Sequence, residues 1–205
     1  MSKNLLIWNA TKELGFYPVK DALYEDFYFN ASIKNSESPI AAELTQSRVK
    51  YVNTYTKALI LDFGVGCGQF LHARGNCLGY DICPQAVAWL KREGLFFNPY
   101  EEDLDKHGIK AITFFDSLEH LQKPEKILKR ITGQYVFISL PIFRDKTHAL
   151  ESKHFKPREH YWYFTQHSIR AFMKDSGFSL LDCRDSEMLI GREDIMSYVF
   201  KRGEK

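Results

Sequence analysis

With 205 residues, 44% of them hydrophobic and 26% charged, the chain is long enough to bury a core without disulfide or metal staples. Its composition excludes the disordered, collagen-like and membrane-spanning classes. A formal net charge of +2, with Lys and Arg spread along the sequence, gives no general polyanion-binding surface, so a nucleic-acid partner is not expected. Cys67, Cys77, Cys83 and Cys183 form no CxxC pair and no Cys/His cluster at finger spacing, so we expect free thiols and no metal. The opening MSKNLLIWNATKELG is too briefly apolar for a signal core or a membrane span. The expectation is a cytoplasmic protein.

The first stretch of the chain does not alternate. Aromatics at Trp8, Phe16, Tyr17, Tyr24, Phe27, Tyr28 and Phe29 precede a helical stretch from about Pro39 to Tyr55, and residues 1–56 are read as a cap or lid on one domain spanning 57–205. From Lys57 onward apolar runs end at Gly, Asp or Pro and are separated by helix-like stretches, the pattern of alternating strands and helices. Ala58 to Gly64, Cys77 to Asp81, Leu95 to Asn98, Ala111 to Asp116 and Tyr135 to Pro141 read as five strands, each short and apolar as in a buried parallel sheet. GQFLHARG, PQAVAWLKREG and HLQKPEKILKRI read as helices between them. HSIRAFMKDSG is a further helix with a terminal glycine. FSLLDCRD and IMSYVFKR then form a terminal antiparallel hairpin that turns around Gly191.

The sharpest chemical signal is LDFGVGCGQF, residues 61–70, at a strand-to-helix junction. Gly64, Gly66 and Gly68 permit a tight turn and a close backbone approach to a ligand, while the following helix offers free N–H groups. A dinucleotide fingerprint would place its third glycine at Gln69, and a nucleotide P-loop would need a lysine after Gly68, so neither is met. Asp81 stands nineteen residues after Asp62 at a strand end, where a carboxylate with two acceptor oxygens suits a ribose diol. The alternative for Asp81 is a helix N-cap.

Taken together, LDFGVGCG, GYD, FFDSLEHLQKPEKIL, ISLP and HYWYFTQHSIRAFMKDSGF, in this order from residue 58 to about 200, resemble the class I S-adenosylmethionine-dependent methyltransferases. The resemblance is especially to the group similar to ubiquinone-biosynthesis O-methyltransferases, of methyltransferase type 11 or 23. The resemblance implies a Rossmann-like, seven-stranded, mostly parallel sheet with a terminal antiparallel hairpin and helices on both faces. It implies that Asp62 and the loop Gly64, Gly66, Gly68 bind the amino-acid part of S-adenosylmethionine, Asp81 and Ile82 its ribose side, and the segment from Asn98 through Tyr100 to Asp103 its adenine. Asp116 and Ser117 would line the floor beside the sulfonium, and S-adenosylhomocysteine would be the product.

Methyl transfer from a sulfonium mainly requires alignment of the reacting atoms, with a general base helpful for a hydroxyl acceptor. His120 in DSLEHL is the candidate base; its alternative is to cap and orient the next helix together with Glu119. His160, Tyr161 and Trp162 stand where the resemblance places a segment closing over the substrate, the alternative being core packing. Arg144 to His160 carries five Lys or Arg and three His against three acids, suited to an anionic acceptor or to an ordinary solvated loop. The expected partner is a small-molecule acceptor methylated at oxygen, bound by a monomer or homodimer, with no membrane.

Overall fold

Successive side chains of a strand point to opposite faces, and in the central sheet both faces are covered, so its strands are apolar at nearly every position. The computed structural model describes residues 5–18, 33–34, 36 and 38–203; the aromatic positions Tyr24 and Phe27 to Phe29 lie outside them. The chain runs β1 (Ile7–Asn9), β2 (Leu14–Phe16), α1 (Pro39–Tyr55), β3 (Ile60–Phe63), α2 (Gln69–Arg74), β4 (Cys77–Tyr80), α3 (Pro84–Arg92) and β5 (Ala111–Phe115). It continues through α4 (Pro124–Arg130), β6 (Tyr135–Pro141), α5 (Lys146–Glu151), β7 (Trp162–Phe164), α6 (Gln166–Asp175), β8 (Phe178–Arg184), α7 (Ser186–Leu189) and β9 (Ile195–Arg202).

The central sheet has the order β4-β3-β5-β6-β9-β8. The first four strands are parallel, and β9 pairs antiparallel with both β6 and β8, which forms the expected terminal hairpin. Ile60, Ala111, Phe137 and Val199 point to one face, where they meet Val52 of α1, Phe70 and Leu71 of α2, and Ala86 and Leu90 of α3. Leu61, Ile112, Val136, Ile138 and Phe200 point to the other, against Ile127 and Leu128 of α4 and Ile169 and Met173 of α6. The alternation of neighbouring residues between two cores is what makes this an α/β layered fold.

The sheet has six strands where the resemblance implied seven. The stretch Leu95 to Asn98 makes only a bridge between Gly79 and Phe96, with Gly79 N–H donating to Leu95 and Phe97 N–H donating to Gly79. The ladder stops there because Pro99 has no N–H to give, and because Asn98 is committed to a turn. Its N–H donates to Glu102, and its side-chain oxygen accepts from Tyr100 N–H. A second sheet, β1-β2-β7, is antiparallel throughout and joins the N-terminal hairpin to the aromatic run Trp162–Phe164. Strands of three residues carry too little alternation to stand out in a sequence.

Helix ends follow local chemistry. Ser38 caps α1 by accepting from Ala41 N–H, with Pro39 in the first turn. Thr165 and Ser168 cap α6 reciprocally. Gly79 lies where α2 and α3 both seat on β4: a Cβ there would come within 2.6–2.8 Å of Leu90, Leu71 and Val65 side chains. Gly79→Ala is therefore expected to cost about 1–3 kcal/mol in denaturant unfolding, as overpacking does. A loss below about 0.5 kcal/mol would show that the two helices do not converge there.

Candidate active site

The site lies at the carboxyl ends of β3, β4 and β5. The chain leaves β3 toward β4 on one side and returns to β5 on the other, and the crevice between such diverging connections is where α/β sheets bind ligands. Gly64 and Gly68 take φ of +86° and +80°. At Gly64 a Cβ would press on Ser117, and at Gly68 it would strike the Trp89 ring at 2.3 Å, so a side chain is excluded at both by backbone and by space. The loop is held from below: Gly64 N–H donates to Tyr80 at 2.8 Å, and Gly66 N–H donates to Asp81 Oδ2 at 3.2 Å. Asp81 Oδ1 accepts from Cys83 N–H at 2.8 Å. Asp81 thus ties the glycine loop to the start of α3; the N-cap position itself belongs to Cys83.

Three compartments meet here. A mostly apolar cavity of about 300 Å³ is lined by Phe63, Gly64, Gly66, Asp81, Ile82 and Ala86 on one side and by Asp116, Ser117, His120 and Leu121 on the other. A second, of about 260 Å³, shares Gly64, Gly66 and Asp116 with it and adds Thr45, Arg48, Asp62 and Gln69. A third, of about 450 Å³, shares Asp116 and His120 and adds Glu119, Lys153, His154, His160 and Arg192. Lys156 lines both the first and the third. Asp116 borders all three.

Asp116 is also the centre of a charge cluster. Its Oδ2 accepts from Arg48 Nη2 at 2.7 Å and its Oδ1 from Arg192 Nη2 at 2.8 Å. Arg48 also donates through Nε to Glu187 at 2.8 Å, and Arg192 Nη1 pairs with the same carboxylate. Glu187, 1% exposed, is further held by the Ser139 hydroxyl at 2.6 Å. Burial alone would raise the pKa of both carboxyls, but the two guanidiniums outweigh it and hold Asp116 and Glu187 below the usual range. Asp62 has no such help. Burial pushes its pKa up to about 7, against a hydrogen bond from the Thr113 hydroxyl at 2.6 Å and the more distant charge of Arg48. Burial also raises Asp81, against the amides of Cys83 and Gly66.

The expected positions divide. Asp62, Gly64, Gly66, Asp81, Ile82, Asp116 and Ser117 surround the first two compartments, with Gly68 supporting the loop as N-cap of α2. Ser117 also ties β5 to β3, its hydroxyl donating to Phe63 O at 2.6 Å. Asn98 and Tyr100 do not line the cavities. Asn98 is occupied by its own turn, and the Tyr100 ring packs edge-on against Tyr80 and Phe63.

Glu119, His120 and His160 come together at the third compartment, with one potential ligand atom from each lying within 4.8 Å of the others. Burial lowers the His120 pKa to about 4 and holds His160 well below its ordinary value, so both imidazoles are neutral at pH 7. Tyr161 and Trp162 face elsewhere: Trp162 Nε1 donates to Leu121 O at 2.8 Å, and both rings pack on Phe16.

A family model described as a methyltransferase domain matches residues 41–182. The chain belongs to that family. Solved structures agree on the fold. A complex of the Haloferax volcanii Trm112 methyltransferase activator with a proposed methyltransferase contains a chain 13% identical, with a TM-score of 0.64, covering 88% of this chain and 96% of that one. Magnesium protoporphyrin IX methyltransferase from Synechocystis PCC 6803, with S-adenosylhomocysteine bound, is 14% identical over 78% of this chain and 83% of its own, with a TM-score of 0.55. The methyltransferase domain of a bacterial Hen1 is 19% identical over 80% of this chain and all of its own, with a TM-score of 0.56. No curated protein sequence matches.

Three charged residues of this methyltransferase-domain protein's site, Arg48, Glu187 and Arg192, carry no sequence signal. They come from α1, α7 and the loop before β9, elements distant in the chain from the glycine motif.

Two outcomes follow from these electrostatics. A carboxyl with a folded-state pKa near 7 and an unfolded one near 3.8 makes stability fall as pH rises from about 4 to about 7, by at most about 4 kcal/mol, and contributes no further slope above. Asp62→Asn should flatten that part of the stability–pH curve measured by urea unfolding. A parallel curve for the variant would place Asp62 in water. Glu187→Ala leaves two guanidiniums with one carboxylate and should cost on the order of 3 kcal/mol. A loss under about 1 kcal/mol would mean that the cluster is solvated.

Proposed function

We propose that the protein transfers a methyl group from S-adenosylmethionine to a small-molecule acceptor, at oxygen, in the manner of the group similar to ubiquinone-biosynthesis O-methyltransferases, acting in the cytoplasm as a monomer or homodimer. The observation that carries this reading is the joining of two compartments through one glycine loop. One is apolar with a carboxylate at its rim, and the other is charged. The cofactor has the same division, with an adenine and ribose at one end and a zwitterionic amino acid at the other.

The residues present fit that cofactor. Asp81 presents a half-buried carboxylate to the first cavity beside Phe63, Ile82 and Ala86, which suits a diol next to an apolar ring system. In the second compartment Asp62 offers a carboxylate to an amino-acid ammonium, while Thr45, Gln69 and the paired Arg48 supply polar groups for the amino-acid carboxylate. The raised pKa of Asp62 is the cost of keeping a carboxylate ready for a cation that arrives with the ligand. Gly64 and Gly66, both at positive φ, let the backbone approach closely, and at Gly64 a Cβ would press on Ser117.

Bound S-adenosylmethionine supplies the electrophilic methyl and a neutral leaving group. The chain's part is then alignment and exclusion of water. Ser117 and Asp116 form the floor, and His120 stands at the boundary between the first and third compartments. The third compartment is the acceptor's place. Its wall is polar, with Glu119, His154 and His160 beside Lys153, Lys156 and Arg192, each cation paired with a neighbouring carboxylate, and this suits an acceptor with polar oxygens. His120 enters as a neutral imidazole, an acceptor of protons or of other electron-poor partners.

The test is calorimetric titration with S-adenosylmethionine and S-adenosylhomocysteine. The parent should bind with micromolar affinity, about −8 kcal/mol, and Asp81→Ala should lose at least tenfold while keeping its thermal unfolding transition. No binding by the folded parent would defeat the reading. Binding without turnover of any phenol, catechol or hydroxy acid would leave a cofactor-binding protein without transfer activity.

A further inference from the structure

The third compartment holds a group of side chains that methyl transfer by alignment alone does not use. Glu119 and His120 sit in the short helical turn Leu118–His120 that follows β5. His160 arrives forty residues later, one residue before the backbone bond that clamps the two segments together, Tyr161 N–H donating to Glu119 O at 2.9 Å. The His120 and His160 rings meet edge to face with centroids 4.6 Å apart. Glu119 is 2% exposed and His160 3%. Both keep a buried polar atom, Glu119 Oε2 and His160 Nδ1, with no hydrogen-bond partner among the described residues. Buried polar atoms are normally satisfied, and a carboxylate oxygen and an imidazole nitrogen left without partners in one cluster suit a shared electron-poor partner.

We propose that Glu119, His120 and His160 bind a divalent metal ion, of the borderline class that accepts imidazole together with carboxylate, such as zinc, manganese or cobalt. One ligand atom from each residue already lies within 4.8 Å of the others, so small side-chain rotations bring all three to a common centre. Two imidazoles and one carboxylate are a donor set for these ions rather than for magnesium or calcium, which prefer oxygen. The cations on the wall do not oppose the ion as free charges. Lys156 pairs with Glu159 at 3.3 Å, Lys153 with Glu193 at 3.1 Å, and Arg192 with Asp116.

Three protein ligands leave coordination positions open, as in sites that act on a substrate. The open side is the cavity of about 450 Å³ that shares His120 and Asp116 with the expected cofactor compartment. An acceptor hydroxyl or phenol placed on the ion becomes more acidic and gives its proton to solvent. Its oxygen then forms the new bond to the methyl carbon as the carbon–sulfur bond breaks, the electron pair staying on sulfur. Vicinal oxygens, as in a catechol or an α-hydroxy acid, would occupy two positions at once. This role for the ion rests on the methyl-transfer reading; binding of the ion does not.

The experiment is metal titration of the protein stripped with chelator and dialysed, using Zn²⁺ and Mn²⁺ with metal analysis, and Co²⁺ followed by its visible absorption. The parent should take up one equivalent, and Glu119→Gln and His160→Gln should each weaken uptake by about 100-fold. S-adenosylhomocysteine binding, measured on the same samples, should change by less than about threefold in Glu119→Gln, an isosteric change away from the cofactor cavity that also reports on folding. No ion bound by the parent, or uptake unaffected by both substitutions, overturns the proposal. Stoichiometric metal uptake in a parent that binds no S-adenosylhomocysteine would uphold the metal site and defeat the methyl-transfer reading.

Discussion

A carboxylate at the end of β5 stands where three cavities converge, and the structure around it holds it in place through paired charges. Asp116 takes a left-handed backbone, φ +56°, unusual for a residue with a side chain. Its N–H donates to Ser139 O, and its two oxygens reach Arg48 and Arg192. Glu187 closes the ring with the same two guanidiniums. Two cations and two anions sum to zero, so the cluster carries no uncompensated charge into the interior. Its members come from three parts of the chain, and the cluster therefore fixes α1, the end of β5 and the β8–β9 connection in one arrangement.

That arrangement explains why the site is assembled from short local motifs and long-range charges together. The local part was legible. Alternating apolar runs gave β3 to β6 and the terminal hairpin within a residue or two, because buried strands closed by Gly, Asp or Pro leave little choice. Gly64, Gly66 and Gly68 announced a strand-to-helix turn because only glycine tolerates those backbone angles at that closeness. Asp81 follows the strand next to β3, where the fold brings strand ends side by side.

The long-range part was not legible. Arg48 sits on a helix without a marked apolar stripe, so no pattern separates it from any other surface arginine. Glu187 and Arg192 fall in a connection whose position depends on how β9 inserts between β6 and β8. The strand expected at Leu95 to Asn98 shrank to a bridge because Asn98 and Pro99 start a turn, and the same turn took Asn98 away from the cavity. The resemblance places Tyr161 and Trp162 over a substrate, with core packing as the alternative. Their packing on Phe16 depends on the partner strand β2, three residues long and separated from β7 by well over a hundred positions. Aromatic runs have the same appearance in a lid and in a core.

The pairing of Asp116 has a consequence for the chemistry proposed. A sulfonium carries its positive charge before transfer and loses it as the methyl group leaves, so a bare carboxylate nearby would hold the reactant more tightly than the transition state and slow the step. With both oxygens engaged by guanidiniums, Asp116 offers shape and polarity to the floor while its charge is already spent. The second compartment is different. There Asp62, with no guanidinium bonded to it, can meet an ammonium whose charge does not change during transfer, so the attraction anchors the ligand without opposing the reaction. The two carboxylates, Asp62 buried and Asp116 part-exposed, are thus separated by their partners: in the proposed reaction the one beside the reacting centre is neutralised by the fold, and the one at the remote end is left for the ligand to neutralise.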